Sequence, residues 1–258
     1  MSLRIKLGKL KEIVSFFSEF SEEISLNVDR ANSTLYIFSS LGAVNIWSIV
    51  PIQSNIFCDG DVGFVFNVPV IKVKNCLSSF HHDSLVTLSA GDGCVTLSGE
   101  HVVAVTIRDR NREHRTDTSI SLSVGQDKFY IFNFLKYEEK CCARTIVSLD
   151  LLLGFIKSIN NYQFLTVAVD GDCNLILRTP GSKDVFVMRY STTECSDELQ
   201  NYTFRVPICS LTKLKGFKKK ISVFEMRVVM DVDSNILGML FRERLGKDLI
   251  NVFIPFCD

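Results

Sequence analysis

No run of eighteen apolar residues occurs in this 258-residue sequence, so it holds no helix built to span a bilayer. Nor does its start, "MSLRIKLGKLKEIV", offer the continuous apolar stretch and small-residue cleavage site of a signal peptide. Phosphate loops of the Walker type are missing, and "GDG" lacks the strand-to-helix setting of a dinucleotide fingerprint. Histidine is scarce: His81, His82, His101 and His114 are the four, and none sits in a motif that pairs a nucleophile with a base. His81 and His82 close a predicted helix, where polar or cationic groups suit the C-terminal dipole. The nine cysteines are odd in number and come without a secretion signal, which points to reduced thiols in a cytosol-like compartment. Cys76 and Cys94 occupy apolar positions, where cysteine behaves as a small hydrophobe. Zinc sites need cysteine pairs spaced by a few residues, and only the adjacent Cys141 and Cys142 come near that. The expectation is therefore a protein with no catalytic residues, no cofactor and no metal. Net charge is also missing, with 29 basic residues against 29 acidic ones, and no low-complexity tract occurs.

Apolar residues make up 47 % of the chain and charged residues 22 %, the profile of a soluble globular protein of one or two domains. Its most informative feature is an internal echo. "FNVPVIKVKNCL" (66–77) matches "FRVPICSLTKLK" (204–215), with Phe66, Val68, Pro69 and Val70 answering Phe204, Val206, Pro207 and Ile208 at an offset of 138. Each copy alternates like a strand, meets a proline, then takes up helical spacing. Proline suits that junction, because its fixed φ and absent N–H fit a first helical turn. The apolar stripes continue as Val70, Val73, Leu77 and Phe80, and as Ile208, Leu211, Leu214 and Phe217. A looser pairing supports the first: "LRIKLGKLKEIVSFFSEF" (3–20) and "TIVSLDLLLGFIKSI" (145–159) both run from a short strand into an amphipathic helix.

Short β-like runs fill the spaces between these helices. They include "ISLNVD", "TLYIFSS", "VNIWSIV", "SLVTLSA", "CVTLSG" and "VVAVTIR" in the first half, then "FLTVAV", "NLILRT", "VFVMRY", "VFEMRVVM", "ILGMLF" and "LINVFIPF" in the second. The tips "AGDGC" and "VDGDC" carry Asp-Gly, a strong hairpin signal. Strands of this kind, covered on one face by helices, give an α+β class. The expected architecture is two tandem β-α-β-β-β-α-β-β-β units, over residues 1–115 and 144–258, with a partly β connector at 116–143. That connector follows the charged run "RDRNREHRTDT", contains the strand-like "SISLSV" and "KFYIFNF", and ends in "YEEKCC".

The duplicated topology resembles that of DNA sliding clamps such as proliferating cell nuclear antigen. In those proteins helices line the inside of a ring and sheets form its outer layer. The blocks "FSEFSEEISLNVD", "SLGAVNIWSIVP", "FNFLKYEEKCCARTIVSLDLLLGFIKSI", "TECSDELQNYTF", "LTKLKGFKKKISVFEMRVVMD" and "NILGMLF" resemble the poxvirus late transcription factor 1 family along the whole chain. The resemblance implies a factor that acts with viral RNA polymerase and other viral late factors at late promoters, in viral factories of the host cytoplasm. It assigns no catalytic or binding residue. A ring of this topology contains six units, so three such chains would complete it by self-association as a trimer, although nothing in the terminal strands specifies closure. Two other readings stand beside this one: a DNA polymerase processivity clamp, and a protein–protein adaptor that never touches DNA.

"SLTKLKGFKKKISVF" (210–224) concentrates five lysines in a chain of zero net charge. On a helix from Pro207, Leu211, Leu214 and Phe217 form the buried side and Lys213 the opposite side, with Lys215 on its flank. Gly216 is the expected C-terminal cap, which leaves Lys218, Lys219 and Lys220 in the following turn. Such lysines either complement a helix C-terminus and guard a strand edge, or contact phosphate. The other candidates for weak nucleic-acid contact are Lys72 and Lys74 on the second helix and Lys157 on the third. The first helix sets Lys11 beside Glu12, Glu19 and Glu22, a mixed or acidic surface that would not bind duplex DNA tightly by itself.

Overall fold

The computed structural model of the chain describes residues 2–29, 34–51, 65–80, 85–91, 94–98, 105–108, 141–181, 186–196, 199, 202–218, 221–231, 236–243 and 249–257. The chain divides into two compact units: Met1–Ser40 with Trp47–Gly125, and Leu41–Ile46 with Gln126–Asp258. Most of the expected connector, including its two strand-like runs, lies outside the described residues, as do His81, His82, His101, His114 and Cys58. Its last three residues, Cys141, Cys142 and Ala143, begin a strand.

The first half runs β1 (Ser2–Lys6), α1 (Leu7–Phe17), β2 (Glu23–Asp29), β3 (Thr34–Leu41), β4 (Val44–Pro51), β5 (Val65–Pro69), α2 (Val70–Ser78), β6 (Leu85–Gly91), β7 (Cys94–Ser98) and β8 (Val105–Arg108). Its strands hydrogen-bond in the orders β1-β6-β7-β8 and β4-β3-β2-β5. The second half repeats the plan with β9 (Cys141–Ser148), α3 (Leu149–Ser158), β10 (Phe164–Val169), β11 (Asn174–Arg178), β12 (Val187–Ser191), a two-residue β13 (Glu194–Cys195) and β14 (Thr203–Pro207). It then continues through α4 (Ile208–Leu211), a 3₁₀ helix (Thr212–Phe217), β15 (Val223–Asp231), β16 (Ile236–Glu243) and β17 (Leu249–Pro255). The orders here are β12-β11-β10-β14 and β13-β9-β15-β16-β17. This is the expected α+β class with the Phe-x-Val-Pro strand ahead of the second helix in each half, but four strands rather than three separate the helices of the first half, and five those of the second when the two-residue β13 is counted.

One device recurs at the strand–helix junctions. The strand before one helix pairs with the strand after the other helix of its unit, so that Lys6 faces Leu85, Pro69 faces Glu23, Ser148 faces Val223 and Pro207 faces Phe164. The first helical amide then donates to the carbonyl just ahead of the facing strand: Val70 to Glu22 at 2.9 Å, Leu149 to Ser222 at 2.9 Å and Ile208 to Gln163 at 3.0 Å. A helix's first four amides have no partner within the helix, and this contact satisfies the first of them. Pro69 and Pro207 are the caps, with φ of −61° and −65°, and proline has no N–H to leave unpaired there.

Beneath these junctions lies the core. α1 buries Leu7, Leu10, Ile13, Val14, Phe16 and Phe17, and α2 buries Val70, Val73 and Leu77, with Phe80 buried just beyond it. α3 buries Leu149, Leu152 and Ile156, while Leu153 on its flank is half-buried.

The fourth helical segment departs from the sequence reading. A regular α-helix was expected from Pro207 to Gly216. Instead, one α turn tightens into a 3₁₀ helix that runs through Phe217. The spacing explains why. Ile208, Leu211, Leu214 and Phe217 recur every third residue, and a three-residue turn aligns all four, each 4 % exposed or less. In α2 the steps of three, four and three suit an α-helix instead. Gly216 is not a left-handed cap: among the described residues that backbone belongs to Gly42, Gly181 and Cys173. The segment ends with Lys218 N–H on Lys215 O (3.3 Å) and Ile221 N–H on Phe217 O (2.9 Å). Phe217 holds it there by packing edge-on against Phe224 of β15 at 6.0 Å.

Both Asp-Gly tips lie between paired strands, with Gly91 facing Cys94 in one and Val169 facing Leu175 in the other. In the second tip Cys173, not Gly171, takes the positive φ of 59°. Asp170 compensates by accepting the amides of Asp172 and Asn174 at 3.0 and 2.8 Å, and the Asn174 amide is the first cause of its depressed carboxyl pKa.

Gly238 in β16 leaves room for the ring of Phe253 on β17, since a Cβ there would lie 2.4 Å from the ring and 2.6 Å from Ile254 O. Gly238→Ala is expected to cost about 1–3 kcal/mol, read as a lower midpoint in urea unfolding.

Candidate nucleic-acid interface

Each lysine of the second unit that falls within the described residues projects from a helical segment. Lys157 is in the last turn of α3, Lys213 and Lys215 are on the 3₁₀ helix, and Lys218 caps its end, all four exposed. Lys219 and Lys220 lie outside the described residues. With three residues per turn, Lys215 and Lys218 share one side of the 3₁₀ helix and Lys213 stands on another. The cluster therefore spans two flanks of this segment.

One contact was not foreseen. Lys218 Nζ lies 2.8 Å from Asp150 Oδ1, in the first turn of α3, with both side chains more than half exposed. Asp150 also sits where a negative charge complements the helix dipole. An exposed pair of this kind contributes under about 1 kcal/mol, so it does not hold the fold together. It matters for charge. Residues 149–163 and 208–218 contain four lysines and one carboxylate, Asp150.

The first unit is different. Residues 7–22 and 70–80 also carry four lysines, but with Glu12, Glu19 and Glu22 among them. Lys72 and Lys74 are exposed on α2, and Lys74 Nζ donates to Ser18 Oγ at 3.0 Å. Lys11, read from sequence as part of an exposed mixed face, is half-buried and donates to Phe80 O at 2.7 Å. It thereby binds a carbonyl just beyond the end of α2, where a cation is favoured. No local pattern announces this contact, because 69 residues separate the partners.

Chemistry of other kinds finds little support among the described residues. No group of three or more His, Cys, Asp or Glu side chains could hold a metal ion. Among the described residues Cys76, Cys141 and Cys209 are free thiols. Burial pushes the Cys76 and Cys141 thiols up, away from the thiolate form that nucleophilic chemistry needs. The buried Arg227 pairs with Glu225 at 2.5 Å, and Arg144 reaches Glu194 at 3.2 Å. These are pairs along neighbouring strands β9, β13 and β15, not an open site.

The family model described as viral trans-activator protein matches residues 1–258. The chain belongs to that family. It is 54 % identical to a late transcription factor 1 of fowlpox virus, 52 % to that of variola virus and 51 % to that of vaccinia virus, each covering both chains completely. The chain is a poxvirus-type late-gene transcription factor. Among solved structures it is similar to one in a PCNA2–PCNA3 complex from Sulfolobus tokodaii (TM-score 0.53, 13 % identity, 99 % of each chain). It is also similar to one in a complex of A. fulgidus PCNA with the C-terminal region of FEN-1 (TM-score 0.57, 11 % identity, 100 % and 98 % covered). At such identities the likeness is one of fold, and the trans-activator has the fold of a sliding clamp.

Lys11→Met removes a charged donor from a carbonyl at the end of α2. The expected loss is about 1–2 kcal/mol, measured by thermal unfolding, with retention on duplex DNA unchanged.

Proposed function

We propose that this trans-activator is a non-enzymatic scaffold that helps viral RNA polymerase and other viral late factors transcribe from late promoters in the host cytoplasm. It touches DNA weakly, through the helical side of its second unit. The observation that carries the reading is the charge of that side, with Lys157, Lys213, Lys215 and Lys218 around a single carboxylate. A few lysines release a few condensed counterions, giving weak, salt-sensitive and sequence-independent binding. The first unit's mixed face adds little to it. Choice of promoter and polymerase then falls to protein contacts.

Replacing Lys213, Lys215, Lys218, Lys219 and Lys220 with alanine is expected to weaken duplex retention and flatten its dependence on salt. Unchanged binding across a salt titration removes the cluster from the interface. A pull-down from late-infected cytoplasm, with and without nuclease, tests the rest. Recovery of RNA polymerase after nuclease supports direct docking, and recovery undiminished by the lysine substitutions favours an adaptor that does not use DNA.

Self-association is a second strand of this proposal, favoured by apolar exposure in the second unit. Among the described residues β12 is the outer strand of its sheet, and Phe186 and Val187 at its start are 42 and 46 % exposed. An open strand edge beside exposed apolar side chains invites another chain. Light scattering over a range of concentrations is expected to reveal an oligomer, and a persistent monomer overturns this strand.

A further inference from the structure

We propose that Asp150 is a built-in competitor for DNA phosphate, holding Lys218 in an internal ion pair and so keeping the basic face weak. The inference rests on the reading of that face as a DNA contact and adds to it the residue that sets its strength. The carboxylate oxygen lies 2.8 Å from Lys218 Nζ, about where a phosphate oxygen would bind a lysine. Asp150 is also the single acid in residues 149–163 and 208–218. It therefore acts twice: it occupies one of the four described lysines, and it repels an arriving phosphate. Both groups are more than half exposed, so the pair is screened and opens at little cost. A phosphate can displace the carboxylate, but part of the gain goes to breaking the existing pair. Lys213 and Lys215 stand on the 3₁₀ helix ahead of Lys218, the lysine that the carboxylate pairs with.

The test uses the full chain and a fluorescent duplex oligonucleotide, with affinity followed by anisotropy between 50 and 200 mM salt. Asp150→Asn, which keeps the shape and removes the charge, is expected to bind several-fold more tightly at low salt. If Lys218 gains one phosphate, the slope of log affinity against log salt steepens by about 0.9, so the advantage falls about 3.5-fold across that range. In a Lys218→Ala background the same Asp150→Asn change is expected to lose most of its effect. The proposal is overturned if Asp150→Asn leaves affinity and slope unchanged, or if its full effect survives without Lys218. Lys213→Ala with Lys215→Ala separates the two layers. Weaker binding in that variant beside an inert Asp150→Asn removes only the competitor. No change in either variant removes the DNA face and the competitor together. Circular dichroism and thermal unfolding of each variant distinguish a lost contact from a lost fold.

Discussion

Where a strand turns into a helix, the first helical amide has no carbonyl behind it within its own helix. In this chain it finds one on a neighbouring strand, at Glu22 for Val70, Ser222 for Leu149 and Gln163 for Ile208. The carbonyl comes from the residue just ahead of the strand that follows the other helix of the same unit. Three of the helix starts are thereby tied to the chain that follows the companion helix. Packing follows from that tie. α1 and α2 share one apolar layer, and the 3₁₀ helix is pinned over β15 through Phe217 and Phe224. The positions of the exposed lysines are consequences of the same arrangement.

The junction was also the part of the fold most legible in the sequence. Pro69 and Pro207 fix φ where the strand must end, and the apolar residue after each begins a buried stripe. Those requirements are local, so the repeat is visible without coordinates, and so were most strands, whose apolar residues alternate. The 3₁₀ helix was readable in principle. Four apolar residues at intervals of three resemble an α-helical stripe, but a three-residue turn places them closer to one line. The two-residue β13 was not readable, because Glu194–Cys195 is too short for any periodicity. In the candidate interface, the lysines were visible but their partners were not. Lys218 meets Asp150, and Lys11 meets Phe80 O, across sequence distances that only the folded chain closes.

Zero net charge and a basic face are compatible because the two units distribute charge differently. Glutamates are interspersed with lysines in the helical segments of the first unit, whereas the second has one carboxylate there. At physiological salt the screening length is about 8 Å. A phosphate near the 3₁₀ helix therefore feels its immediate neighbours far more than the charge of the whole chain. The sum over the chain governs solubility, and the local density governs contact. Four exposed lysines can release only a few counterions, which is why the contact proposed above is a weak one.

The likeness to solved sliding clamps persists at only 11–13 % identity. Within this chain the junction asks little of the sequence. It needs an extended residue at the strand end, an apolar residue after it, and a carbonyl from the backbone, which every amino acid supplies. None of these specifies the solvent-facing side chains. A frame held by backbone hydrogen bonds and a generic apolar layer leaves its surfaces free to change, as the differing charge of the two halves within this one chain illustrates. The fold of the trans-activator is therefore no guide to its partner, and its specificity must reside in what the helices and strand edges present outward. Leu151, exposed next to Asp150 on α3, shows that this outward face is not simply basic. An exposed leucine beside a carboxylate is a feature that a protein partner can use and a phosphate backbone cannot.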